Sequence, residues 1–252
     1  MRKVYCVVLL MGCSLSWPLA HASAQTLTLD QRVAALEAKL KCVTVEENEL
    51  YVTGYNIHIR NGMNATNVKN STGNLIIGYN EARQEQGVND RDGSHNLVIG
   101  AEHVYTSTRG LVAGFQNRLF GLSASVTGGM QNTAGGPYTS ISGGSEHYAG
   151  GTSASISGGS RNTTRGDNSS ISGGIANTAE GPFSSVSGGG TYDDTVSGNK
   201  ALGDFASVSG GYNNQALANY TSISGGSGQT ISTTYEVVMG DLTVKTLTIT
   251  GP

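Results

Sequence analysis

One apolar β-branched residue followed two positions later by glycine recurs along this chain at Ile76, Val98, Val112, Val126, Ile141, Ile156, Ile171, Val186, Val208, Ile223 and Val238. The steps between these positions are 22, 14, 14, 15, 15, 15, 15, 22, 15 and 15 residues. From Ser140 to Gly226 the unit sharpens to Ser-Ile/Val-Ser-Gly-Gly, and other columns hold the same register. Nine residues before the apolar position stand Asn132, His147, Asn162, Asn177, Asn199 and Asn214, and seven before it stand Ala134, Ala149, Thr164, Ala179, Ala201 and Ala216. A looser column three before it alternates Tyr138, Phe183, Phe205 and Tyr220 with Ser153 and Asn168. The step from Val186 to Val208 keeps the upstream columns, which places one insertion in Gly190 to Val196.

So short a period leaves room for two strands per repeat with a glycine turn after each, which is one coil of an all-β, parallel β-solenoid. Within Ser-Ile-Ser, a period of two sends Ile inward and both Ser outward. The Ala column then faces a tight interior opposite Ile, and the Asn column is expected to bond the Asn of neighbouring turns. One Ile or Val and one Ala per turn is little apolar surface for the chain that must be ordered. The expectation is an underfilled coil that associates with others through its Ile/Val faces.

Composition supports an ordered, exported chain. Thirty-seven of 252 residues are Gly, but only 13% are charged and only four are Pro, which is unlike a disordered segment. A net charge of −3 excludes a basic nucleic-acid footprint and a cationic membrane patch. Arg2, Lys3, the apolar run Val4 to Met11 and Ala22-Ser23-Ala24 read as a signal peptide over residues 1–24. Leu10-Met11-Gly12-Cys13 offers the alternative of lipid anchoring through Cys13. No later stretch has the roughly 18 apolar residues of a membrane helix.

Residues 25–45 read as a short coiled coil, with Leu29, Val33, Leu36, Leu40 and Val43 in alternating steps of 4 and 3 along an a/d seam that stops near Val45. Two heptads are marginal alone, so this segment is expected to be an oligomerisation clasp. Residues 46–73 form a transition with strands at Leu50 to Val52 and Ile57 to Ile59, residues 74–240 carry the repeats, and residues 241–252 supply a terminal strand or cap. Cys42, the thiol left after cleavage, is read as a small, partly buried group without a reactive role.

Asn96-Leu97-Val98-Ile99-Gly100 and Gly110-Leu111-Val112-Ala113-Gly114 resemble the repeat unit in the head of trimeric autotransporter adhesins of the YadA type. The resemblance covers roughly Asn74 to Gly240. It implies a left-handed parallel β-roll assembled from three chains. It departs from the family in that the heptads precede the repeats and the sequence closes on Leu247 to Pro252 without an anchor, so self-translocation and covalent tethering are not expected.

Nothing in the sequence argues for catalysis, a metal or a cofactor. His58, His95, His103 and His147 show no ligand spacing, and His147 falls in the Asn column, which suits a structural role. Gly188 to Asp194 faintly resembles a calcium-binding nonapeptide, but it occurs once. Candidate ligand-contacting residues lie in the two excursions: Glu81, Arg83, Arg91 and Asp92 in the first, and Tyr192, Asp193 and Asp194 in the second. The expected function is an exported bacterial, homotrimeric structural or adhesive module, secreted or at the cell surface, that meets a glycan or a surface protein. A polysaccharide-active enzyme on a monomeric β-helix and an ice- or mineral-binding serine face are the alternatives.

Overall fold

The computed structural model describes residues 27–83, 90–190 and 198–238. The expected signal peptide, Cys13 and the terminal segment 241–252 lie outside them. The chain divides into two compact units, Met1–Ile57 and His58–Pro252.

In the first unit, helix α1 spans Leu29–Leu40. Thr28 begins it with a capping box: the Gln31 backbone N–H donates to Thr28 Oγ1 at 3.3 Å, and the Thr28 N–H donates to Gln31 Oε1 at 3.0 Å. Asp30 in the first turn and Lys39 in the last complement the helix dipole. Strands β1 (Val43–Glu46) and β2 (Glu49–Val52) then pair antiparallel, Val43 opposite Val52 and Val45 opposite Leu50. Val43 was expected to close the helical seam; it starts a strand instead. The run Val43-Thr44-Val45 is β-branched, and a hairpin partner lies close in sequence, so strand preference overrides the last heptad position. Ile57 to Ile59, expected as a strand, forms none.

The second unit is a parallel β-solenoid of about nine turns. One sheet, here sheet I, has 11 strands and runs from Leu75–Ile77 to Val237–Val238; sheet II has 9 strands and runs from Val104–Tyr105 to Thr230–Ile231. Successive turns pair in register: Ser140, Ile141 with Ser155, Ile156, and these with Ser170, Ile171; in sheet II, Thr133, Ala134 with Tyr148, Ala149.

The apolar column is buried from Val98 to Ile223 at 0% to 1% exposure, and Ala134, Ala149, Ala179, Ala201 and Ala216 oppose it at 0%. This overturns the expectation that coils associate through their Ile/Val faces, because a single chain already covers them. The reason is geometric. The inward columns pair Ile or Val on sheet I with mostly Ala on sheet II, and together with the buried polar column they fill the interior of a single coil. The ends differ. Ile76 is 39% exposed and Val238 only partly buried; they stand on the first and last described strands of sheet I.

Candidate functional site

The interior polar column is built from amide chemistry. Asn117, Asn132, Asn162, Asn177, Asn199 and Asn214 are fully buried. Each Oδ1 accepts the backbone N–H of the residue one turn on, as in Asn177 N–H to Asn162 Oδ1 at 2.9 Å. Each Nδ2 donates to two carbonyls; for Asn162 these are Gly158 and Gly174, both at 3.0 Å. The expected side-chain ladder is therefore a side-chain-to-backbone ladder. It leaves every amide satisfied and pins the Gly-Gly turn that follows the Ile strand.

His103 and His147 stand in this column. Nδ1 of His147 accepts from Asn162 N–H at 3.1 Å, and Nδ1 of His103 from Asn117 N–H at 3.2 Å. Both rings are held neutral, with pKa below the ordinary 6.5, first because burial penalises the charged form. Arg91 adds a repulsive contribution at His103. A structural role for His147 is where its spacing placed it.

The first excursion folds against its own chain. Arg91 donates Nε to the His103 carbonyl at 3.0 Å and Nη1 to the Asn80 carbonyl at 2.6 Å, and also reaches the Glu81 carbonyl. Arg83 is 3% exposed and donates Nη2 to the Gln116 carbonyl at 2.8 Å. Asp92 pairs with Lys69 at 2.7 Å, both side chains about half exposed. The two arginines thus act as clasps on turn carbonyls, Asp92 is held by a surface ion pair, and Glu81 keeps an exposed side chain over a carbonyl that Glu102 N–H also uses. Tyr192, Asp193 and Asp194, and most of the nonapeptide-like segment, lie outside the described residues. Beside this excursion, a cavity of about 260 Å³ opens between Arg60, Asn64 and His95. His95 Nδ1 there already faces the Thr66 carbonyl at 3.1 Å. Among the described residues no group of three or more His, Cys, Asp or Glu side chains is placed to hold a metal ion.

Two exposed features of the solenoid stand out among the described residues. On one turn edge, Phe183, Phe205, Tyr220 and Tyr235 stack in a continuous row with centroids 5.0, 5.0 and 5.1 Å apart and planes within 10° of parallel. The faces of the rings are spent on one another, so the strip offers mainly ring edges outward. That geometry suits turn-to-turn cohesion better than sugar stacking, which needs an open face.

The second feature is the outer face of sheet I. Leu75, Leu97 and Leu111 pair in one outward column that continues as Ser125 and Ser140. Ile77, Ile99 and Ala113 form the parallel outward column, continued by Thr127, Ser142 and the later serines. The face is aliphatic over its first three rungs, with Leu75 45%, Ile77 53% and Ile99 36% exposed, hydroxylic from Ser125 to Ser224, and apolar again at Val237, which is 57% exposed. The reading of the repeats missed this change, although the outward Leu and Ile of Leu97-Val98-Ile99 carried the signal. In the first unit, α1 buries no residue: Leu29, Val33, Leu36 and Leu40 are 72%, 45%, 56% and 51% exposed.

A scan against protein-family models and a search of curated proteins give no match to this chain.

Proposed function

We propose that this chain is an exported, homotrimeric adhesive module, a left-handed β-roll of the YadA-head kind, which binds a glycan or a cell-surface protein and performs no catalytic step. The observation that carries the reading is α1. A capped helix of twelve residues with all four seam positions open to water is marginal alone. It becomes stable when copies of the same seam close on each other. The aliphatic rungs of sheet I add a second self-complementary surface of the kind that monomers rarely leave open. The interior of the solenoid is consumed by structural bonds, and the two clasping arginines are taken up by the fold, which leaves a regular outer surface that three copies would present in parallel. Many weak contacts multiplied by three suit adhesion.

The test is sedimentation equilibrium of the mature protein, cut after Ala24. Three chains per particle are expected, and Leu29→Asn with Leu36→Asn should lower that number. A single-chain mass at micromolar concentration overturns the assembly. Binding of the trimer to arrayed glycans or intact cells, weaker for the seam variant, tests the adhesive part; equal binding by single chains overturns it.

A further inference from the structure

The cavity of about 260 Å³ beside the first excursion lies in the second unit, between the loop 60–66 and His95. The loop is fixed before any ligand arrives. Asn61 is 7% exposed; its Nδ2 donates to the Val68 carbonyl at 2.5 Å, its Oδ1 accepts the Met63 N–H at 2.9 Å, and its own carbonyl accepts from Asn70 Nδ2 at 2.8 Å. Gly73 passes so close that a Cβ on it would lie 2.6 Å from the Asn61 nitrogen. His95 Nδ1 donates to the Thr66 carbonyl at 3.1 Å, which ties the loop to the turn before the strand Leu97–Ala101. This frame leaves several groups unspent. Arg60 is exposed and makes no hydrogen bond or ion pair with the described residues. The backbone N–H groups of Gly62, Asn64 and Ala65 donate to none of them either, and His95 Nε2 has no partner among them. No acidic side chain stands among the described residues that line the cavity.

We infer that this cavity binds a single carboxylated sugar residue, with the carboxylate on Arg60 and a ring hydroxyl on His95. Three features select that chemistry. A guanidinium holds a carboxylate through two parallel N–H···O bonds, and the fork of Arg60 is unspent. A carbonyl only accepts, so the bond to Thr66 fixes a proton on Nδ1 of His95; Nε2 of the neutral ring is then an acceptor, which calls for a hydroxyl and repels a second anionic oxygen. One guanidinium balances the single charge of a carboxylate, whereas a phosphate group brings about 1.5 to 2 negative charges. Size agrees: pockets for drug-sized ligands run from about 300 to 1,000 Å³, so about 260 Å³ suits one ring and not a chain of them. Asn64, Thr66 and the unspent N–H groups of the loop supply neutral partners for the remaining hydroxyls. The inference gives the proposed adhesion a ligand class and rests on that reading for its use at a surface, while the site itself lies within one chain.

The test is titration of the mature protein with sodium glucuronate, read by calorimetry and by the His95 ring-proton signals in NMR spectra. Saturable binding is expected, roughly tenfold or more tighter than that of glucose, which has the ring without the carboxylate, and of acetate, which has the carboxylate without the ring. Inorganic phosphate should not displace the sugar. Arg60→Gln should lose the preference for glucuronate over glucose with an unchanged circular dichroism spectrum, because Arg60 holds nothing in the fold. His95→Asn keeps a residue suited to its φ of +58 and should weaken glucuronate while leaving acetate unchanged. Equal binding of glucuronate and glucose, displacement by phosphate at the same concentration, or full affinity in Arg60→Gln overturns the site. Its failure is separable from that of the adhesive reading. A trimer that binds cells or neutral glycans but not glucuronate leaves adhesion standing without this cavity, and a single chain that binds glucuronate through Arg60 leaves the cavity standing without the trimer.

Discussion

Thr164 occupies a position that alanine holds at 134, 149, 179, 201 and 216; it is fully buried and its Oγ1 has no hydrogen-bond partner. A buried hydroxyl without a partner forfeits its hydration for nothing, so Thr164→Val, of the same shape, should raise stability by about 1 to 3 kcal/mol. Chemical denaturation reads this directly, and an unchanged midpoint would show that the hydroxyl is hydrated after all. The histidines of the polar column make the opposite case. Their Nδ1 must accept a backbone N–H, so the fold needs them neutral, and their pKa lies below 6.5. Stability is then complete above about 6.5, declines as the unfolded histidines take up protons, and levels off once pH has passed the lowered folded pKa. His103→Asn with His147→Asn, which restores the column's usual residue, should flatten thermal stability between pH 7 and 5. Persistent acid loss in that variant would move the cause to the carboxylates. The spacing that put His147 among asparagines was legible in the sequence. That Arg83 and Arg91 would spend themselves on carbonyls was not, because which carbonyls a turn leaves open depends on its path in space.

At the scale of the turn, glycine spacing announced where the chain bends but not how. Each coil carries further left-handed residues that are not glycine: Glu146 at φ +57 and Ser153 at φ +56 share a turn with Gly144 at φ +88. Tyr138, Phe183, Phe205 and Tyr220 also lie there, at φ near +58. Aromatic residues rarely take this conformation, so no propensity argument would have placed them in it. The stacking that results rewards it locally. Phe205→Asn keeps a residue suited to positive φ, as Asn168 does in the same column, while removing two ring contacts. The expected cost is about 1 to 3 kcal/mol, from 0.5 to 1.5 for each stack. A smaller loss would mean that the row merely follows the backbone. The two glycines of each Gly-Gly turn give a paired expectation: Gly159→Ala, whose Cβ would run into the Gly174 carbonyl oxygen, should be severely destabilising, and Gly158→Ala, whose Cβ meets open space, neutral for the isolated chain, as judged by the melting temperature. Val43 shows the limit of heptad arithmetic, since it pairs with Val52 in a hairpin instead of continuing the helix.

For the molecule as a whole, the sequence made the coil legible because a solenoid writes its register into its spacing. It hid where apolar surface remains, because that depends on which columns close inward, and the Ile column closed without help. Among the described residues, the surfaces left open include the seam of α1 and the first rungs of sheet I. An assembly sealed through those surfaces should melt at a temperature that rises with protein concentration, whereas a concentration-independent melt would mark a solitary chain. The pairing of Ser140 with Ser155 and of Ser155 with Ser170 has a further consequence. From Val126 to Ile223 the storeys of sheet I meet the ones above and below in the same two-residue register, so this stretch contains no privileged middle. Adding a whole repeat of codons should lengthen the protein by a single strand spacing, about 4.8 Å, and leave its ends alike. Reach is thereby set by simple duplication, independently of whatever the surface holds.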